Sequence, residues 1–419
     1  MTSATLVSVL ALVLAAASVW VSVRATRTLL NGYVIANLLR FATIYIIPAV
    51  APLFIDIELP VSTTAWTFAM VAQTGEILGY LAGLNRVPSA RFAKLPEIPP
   101  QRLKTVAILS FAAYAVTFAP ILIPVGIVAA FRNPRAEIYE VTRSGFGQFY
   151  FVSGSFLTLF CLLGLFAFRR KWIVILIGTV ASIPYGNKTR FFILANILLT
   201  YYLFFHPVQK YLRRPVAVAA TGVLLLALIP VAFWVTSYDL ELNELHQFVL
   251  GFGVEFQVNF SILAKDFASY FPGGFFGGRI FLEDNLLAFA PRFLWPGKPQ
   301  FFGALHLADT VFPVLTALEQ GAPSFGPFGQ PYADFGNFGL MQVIAEHAFL
   351  GYVLGRCEAG IRVNDARSFL LLYTAITGGF VSVGGLNPTI AVLLNLAVIA
   401  VLFKILRYES PRQPAAMPS

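Results

Sequence analysis

Long uninterrupted runs of apolar residues, separated by short stretches that carry the charges, recur along nearly the whole chain. A hydrocarbon environment offers no partners to backbone N–H and C=O groups, so a crossing segment must satisfy them internally and needs about 20 apolar residues as a helix. The runs place eleven spans near 3–23, 29–50, 62–83, 105–131, 147–168, 172–186, 190–206, 216–237, 335–355, 368–386 and 389–406. They lack the alternating, roughly ten-residue rhythm of a membrane β-barrel. The expected fold is therefore an all-α integral membrane protein with about eleven transmembrane helices. No basic residue precedes the first run, and no small-residue cleavage site leads from it into a polar domain, so it reads as a retained helix.

Composition agrees with this pattern. Hydrophobic residues make up 58% of the 419 positions and charged residues only 12%, with a mean hydropathy of +0.76; a polar-surfaced soluble chain does not sustain such values. Charge then sets the orientation. Nineteen of the twenty-nine Lys and Arg fall in alternate connections: Arg24 and Arg27, Arg86 to Lys104, Arg169 to Lys171, Lys210 to Arg214, Arg356 to Arg367, and the C-terminal end. The positive-inside rule assigns these to the cytoplasm, leaving the N-terminus external and the C-terminus cytoplasmic. The net charge of +9 follows from that bias and gives no reason to expect nucleic acid.

This frame divides the chain into residues 1–237 with eight spans, a large external segment at 238–331, and residues 332–419 with three spans and a short cytoplasmic tail. The external segment is too apolar for a disordered linker and should fold onto the membrane face. Its first part, Leu242 to Phe271, spaces Leu245, Val249, Phe252, Phe256, Phe260 and Leu263 as one helical stripe, the pattern of an interfacial helix. PGGFFGGR (Pro272 to Arg279) then breaks the helix with paired glycines. A short apolar helix follows and ends at PRFLWPGKP (Pro291 to Pro299), where two prolines and a tryptophan would hold Arg292 and Lys298 at headgroup level.

External cations gather in three places: Arg132, Arg135 and Arg143; Lys188 and Arg190; and Lys265, Arg279, Arg292 and Lys298. Such clusters imply an anionic ligand or local ion pairs, and in the first of them Glu137 and Glu140 are available to pair. Glu76, Arg40 and the Glu346–His347 pair lie within spans, where ionisable groups are costly and mark either function or a satisfied interior pair. Cys161 in an apolar run and Cys357 in a basic loop suit neither a disulfide nor a metal cluster. With no His-rich or Asp-x-Asp grouping in an external loop, no bound metal or other cofactor is expected.

Three segments resemble the oligosaccharide repeat unit polymerases, the O-antigen polymerase group of multi-spanning glycosyltransferases. PRFLWPGKP resembles the family's Pro-Arg, apolar, Lys-Pro pattern. PSFGPFGQPYADFGNFG (Pro323 to Gly339) is similar to its Pro-Ser, Gly-Glu-x-Tyr, x-Asn-Phe-Gly pattern, with Gln330 and Asp334 in place of Glu and Asn. GNKTR (Gly186 to Arg190) resembles its Gly-Ser-Arg turn. Arg143 to Gly154 and Arg292 to Gly303 also fit an Arg, ten residues, Gly spacing seen in some members. The resemblance implies a GT-C-like helix bundle in the bacterial cytoplasmic (inner) membrane, with its active site on the periplasmic face. It implies that donor and acceptor are both undecaprenyl-diphosphate-linked oligosaccharides, joined for polysaccharide or lipopolysaccharide biosynthesis. A chain-length regulator and a flippase of the same pathway are the implied partners, beside membrane lipid.

In such a reaction the leaving group is a lipid diphosphate, whose oxygens gain negative charge in the transition state. Fixed guanidinium groups stabilise that charge, and their planar fork meets phosphate oxygens with two parallel hydrogen bonds. Arg143, Arg190 and Arg292 are the candidates for this role. Lys298, Arg135, Arg279, Lys188, Tyr332 and His246 are candidates for substrate contact. A base for the acceptor hydroxyl is open among Glu137, Glu140, Asp239, His246, Glu255, His306 and Asp334, with Asp334 and Glu140 favoured by a helix mouth and a cationic loop. A ligase moving finished glycan to another acceptor would share these features. A flippase or other transporter would share the span number, although the chain has no internal repeat.

Overall fold

The computed structural model describes residues 3–28, 31–50, 61–84, 99–132, 147–186, 188–201, 245–285, 303–314 and 323–362, with isolated positions between and beyond them. The spans expected at 216–237, 368–386 and 389–406 lie outside the described residues or touch them only at single positions. Among the described residues every regular element is helical and none is a strand. Among the described residues, four helices are long and apolar enough to cross a membrane: Leu6–Thr26, Pro100–Val125, Phe149–Ala167 and Gly329–Arg362, with Lys171–Tyr185 a shorter apolar helix. The protein is an all-α membrane protein.

Helices α1 (Ser3–Thr26), α2 (Gly32–Arg40), α3 (Ile47–Val50), α4 (Thr63–Leu84), α5 (Pro100–Val125) and α6 (Ile127–Arg132) come first. Helices α7 (Gly147–Ala167), α8 (Lys171–Ser182) and α9 (Lys188–Leu199) follow. The expected span 29–50 is one line of chain with a widened π-turn at Phe41–Ile46 directly after Arg40. Such a turn releases backbone groups, and they are met from other helices. Gln257 Nε2 donates to the Ile44 carbonyl at 3.1 Å, and separately the Tyr45 side chain ties the turn to α4, its hydroxyl donating to the Ala69 carbonyl at 2.7 Å.

The later part holds α10 (Leu245–Lys265), α11 (Phe267–Tyr270), α12 (Arg279–Asn285), α13 (Ala304–Val311), α14 (Gly329–Phe335) and α15 (Gly339–Arg362). Helix α15 corrects the sequence reading at its C-terminal end. The span expected at 335–355 continues to Arg362, so Cys357 is buried in a helix instead of lying in a loop. The reason is a buried network the periodicity does not reveal. Arg362 Nη2 donates to Glu358 at 2.5 Å, the Tyr80 hydroxyl donates to the same carboxylate, and the Gly32 N–H reaches it at 2.8 Å.

α4 and α15 pack backbone to backbone. Gly75, Gly79 and Gly83 recur every fourth residue on α4 and face α15; Gly351 and Gly355 answer them from α15. A Cβ on Gly75 would lie 2.8 Å from the Ile344 carbonyl oxygen, and one on Gly79 or Gly351 would strike a carbonyl of the facing helix. Small residues at this spacing permit the close approach that holds membrane helices together where no hydrophobic effect operates.

That approach encloses a polar cluster. Arg40 pairs with Glu76, and both side chains are almost wholly buried. Asn37 Nδ2 donates to Glu76 at 2.5 Å, while Gln73 Nε2 donates to Ser18 Oγ at 2.6 Å and to the Tyr33 hydroxyl. His347 is buried with Nδ1 2.8 Å from the Val343 carbonyl oxygen. Helices α1, α2 and α4 are thus tied together by groups that hydrocarbon would not solvate, with the buried His347 of α15 bonded within its own helix.

At the turn carrying Arg169 and Arg170, and at the starts of α5 and α8, cations rest on aromatic rings. Lys171 Nζ lies 4.7 Å from the Tyr201 ring centre and Lys104 Nζ 5.8 Å from that of Phe168. Near the C-terminal end of α1, Arg24 covers Trp20 at 5.2 Å. Cations paired with aromatic rings at helix ends suit a membrane boundary.

Candidate functional site

Arg190 sits in the first turn of α9, after a turn that Gly186 makes with a positive φ of 58°. The turn reverses the chain, so the end of α8, the start of α9 and the start of α7 meet at one place. There the Arg190 guanidinium lies 4.8 Å from the ring centre of Tyr185 and 5.7 Å from that of Tyr150. It also lies against the bare Cα of Gly154, where a Cβ would collide with the guanidinium carbon and both terminal nitrogens.

The rings are themselves fixed. Tyr185 Oη and Ser153 Oγ are 2.7 Å apart, and the Tyr150 hydroxyl donates to the Tyr185 carbonyl at 3.1 Å. Phe118 stacks on Tyr185 at 4.8 Å, with Tyr114 behind it at 6.4 Å. Arg190 is partly exposed, and no carboxylate among the described residues pairs with it. An arginine held by ring faces and a glycine is fixed in position without losing its charge to a carboxylate, which leaves that charge for an anion.

A second group forms around Asp334, which is buried. Its two carboxylate oxygens accept from the backbone N–H of Ile280 and of Phe281, each at 2.9 Å, and Gln330 Nε2 adds a third bond at 2.9 Å. It therefore supplies the missing partners of the first turn of α12 from another helix. The turn before α12 needs this support, because Gly274, Gly277 and Gly278 all have positive φ, of 84°, 62° and 94°. The paired glycines of PGGFFGGR are there for backbone conformation.

Tyr332 donates its hydroxyl to the Ala264 carbonyl at 3.1 Å, and its ring packs among Phe68, Phe260, Phe267 and Phe275. The stripe on α10 is buried at Phe256, Phe260 and Leu263. Arg279 is exposed on one edge and donates from Nε to Glu283 at 2.7 Å.

Glu283 and Asp284 close the segment that contains PRFLWPGKP. Glu283 accepts from the Gly303 N–H at 2.7 Å, and Asp284 accepts from the Ala304 N–H at 3.1 and 3.2 Å. Gly303 adopts φ 57°, which disfavours any side chain there. Both glycines of the Arg-to-Gly spacings thus have local duties: Gly154 makes room for Arg190, and Gly303 begins α13.

Burial, with the neighbouring charges of Glu283 and Asp334, pushes the Asp284 carboxyl up from its ordinary 3.8 to about 7, against the lowering effect of the Ala304 N–H. The folded protein therefore holds a proton here between about pH 4 and 7 that the unfolded chain has released. Stability must then fall as pH rises through that window and level off above it. We expect 286–302 to resist limited proteolysis better at pH 5.5 than at pH 8, and Asp284→Asn, which retains an acceptor oxygen, to remove that difference. Equal cleavage of the wild type at both pH values would refute the expectation.

Arg135, Glu140, Arg143, Arg292 and Lys298 lie outside the described residues. Lys188 opens α9 and His246 lies on α10, both placed by their backbone only. The structure brings Arg279, Tyr332 and Asp334 into one assembly and puts Arg190 in the α5–α7–α8–α9 group; no hydrogen bond or ion pair among the described residues joins the two. Sequence reading missed Tyr150, Ser153 and Tyr185 because aromatic and small residues in an apolar helix have no distinguishing period. Gly154 was visible only as a spacing partner of Arg143.

The chain is thus an all-helical membrane protein with a caged arginine that no carboxylate among the described residues pairs with. The chain is 25% identical over 307 residues, 70% of its length, to the O-antigen polymerase of Salmonella typhimurium and equally to that of Salmonella typhi, covering 71% of each. It is thus similar to the O-antigen polymerases, as the three motifs indicated. No protein-family model matches the chain, and no solved structure does.

Proposed function

We propose that this protein joins oligosaccharide repeat units carried on polyprenyl diphosphate, at the outer face of the bacterial cytoplasmic membrane, and releases the lipid diphosphate. The similarity to O-antigen polymerases supports the reaction class. The single observation that carries the chemistry is Arg190, a guanidinium fixed between rings and glycine with no carboxylate among the described residues paired to it. Charge accumulates on the diphosphate as the glycosyl bond breaks, and a donor already in place stabilises it without reorganisation.

In this reading Arg143 and Arg292 supply further guanidinium groups, while Lys298, Arg135, Arg279 and Lys188 contact the diphosphate or sugar, with His246 beside them. Asp334 holds the glycine turn in place, because its oxygens already accept three hydrogen bonds. Glu140 then keeps the place of candidate base. The growing chain would pass between a flippase that delivers units and a chain-length regulator.

Purified protein given undecaprenyl-diphosphate-linked repeat units of its own source, with products resolved by gel, should yield a ladder spaced by one unit. Transfer of a finished glycan to a different acceptor, with no ladder, would make it a ligase. Lipid-linked glycan crossing vesicle bilayers, with no new glycosidic bond, would make it a transporter.

A further inference from the structure

We propose that Gly154 and Tyr185 are positioning residues for the diphosphate-binding arginine, and that the bare Cα at position 154 sets where the guanidinium sits. This rests on the role given to Arg190 above. The three atoms a Cβ at 154 would strike are Nη2, Cζ and Nη1 of Arg190, so the contact is with the fork end of the guanidinium and not with its aliphatic stem. Tyr185 lies over the same group, and its ring cannot yield easily. Phe118 stacks on it, Ser153 holds its hydroxyl, and the ring is 3% exposed. With a glycine Cα and a braced ring both against it, the guanidinium has little freedom to tilt or slide.

Two consequences follow for the reaction. A guanidinium confined in this way presents its N–H edge in one plane, which favours a two-point contact to phosphate oxygens over a roving charge. It also has little entropy left to lose when the leaving group develops charge, so its benefit falls mainly on turnover. Even one methyl group at position 154 must displace the plane. Misplacement of about 1 Å at a reacting centre is enough to cost about 10²-fold.

The test uses the full-length protein in detergent or lipid nanodiscs with lipid-linked repeat units. A ladder from the wild type comes first, since its absence would strike at the polymerase reading and not at the cage. Gly154→Ala should then lower kcat about 10- to 100-fold while KM moves less than about 3-fold. It should also weaken binding of free undecaprenyl diphosphate, measured by thermal shift without turnover. Tyr185→Leu, which removes the ring face, should lower kcat more than Tyr185→Phe, which keeps the ring and loses only its hydroxyl contact to Ser153.

The deciding measurement is the cycle with Arg190→Ala. If Gly154 acts through the guanidinium, Gly154→Ala adds no further loss once that group is gone. An equal loss in both backgrounds, or a silent Gly154→Ala, would overturn the proposal. So would unchanged diphosphate binding in a Gly154→Ala protein with lowered kcat.

Discussion

Arg190→Ala is expected to lower the rate of repeat-unit joining by about 10²- to 10³-fold, the usual loss when one fixed donor to a developing anion is removed. The protein should remain folded. The side chain is partly exposed, and the contacts around it among Tyr114, Phe118, Tyr150, Ser153 and Tyr185 do not need it. Arg190→Lys should recover only part of the rate. An ammonium keeps the charge but has neither a planar face for the Tyr185 ring nor a fork for two phosphate oxygens. Initial rates from product ladders, beside elution volume and melting temperature of each variant, decide the matter. A folded Arg190→Ala protein that polymerises at the wild-type rate would take this arginine out of the site.

Glu76→Ala should have the largest effect on stability. It leaves the Arg40 guanidinium buried at the centre of α1, α2, α4 and α15 with its carboxylate gone, and removes one of the two acceptors of Asn37 Nδ2. Breaking one side of a buried ion pair costs about 3–5 kcal/mol. The double substitution Arg40→Met with Glu76→Leu should regain most of that, because two apolar groups of similar size leave no charge to solvate. Thermal unfolding of detergent-solubilised protein measures both. A double variant no more stable than Glu76→Ala would mean the pair contributes more than mutual neutralisation.

These two arginines show how unevenly the sequence speaks. Both were visible as cations in unusual places, Arg40 inside a span and Arg190 at a short turn after glycine. That Arg40 is tied to Glu76 while Arg190 has no carboxylate partner among the described residues depends on contacts across 36 positions in one case and on their absence in the other. A carboxylate at a helix mouth likewise read as a candidate base. Asp334 proves to hold two backbone N–H groups more than fifty positions earlier in the chain. The stop of α15 was misplaced for the same reason: Glu358 and Arg362 look like loop charges until Tyr80 and Gly32 are seen to enclose them.

What the sequence determined by itself is the membrane as solvent and the helix as its only economical element, since both follow from apolar runs that must bond their own backbone. It also determined the placement of α1, α4, α7 and α8 to within a few residues, whereas the span expected at 105–131 is α5 at Pro100–Val125 with a break at Gly126 before α6. Tertiary structure alone decided which glycines serve backbone conformation and which make room for a neighbour, and which charges neutralise one another. It also decided which arginine meets a carboxylate and which meets rings and a glycine. Each of these depends on what another helix brings within about 4 Å, where packing and hydrogen bonding act, and no local period encodes it.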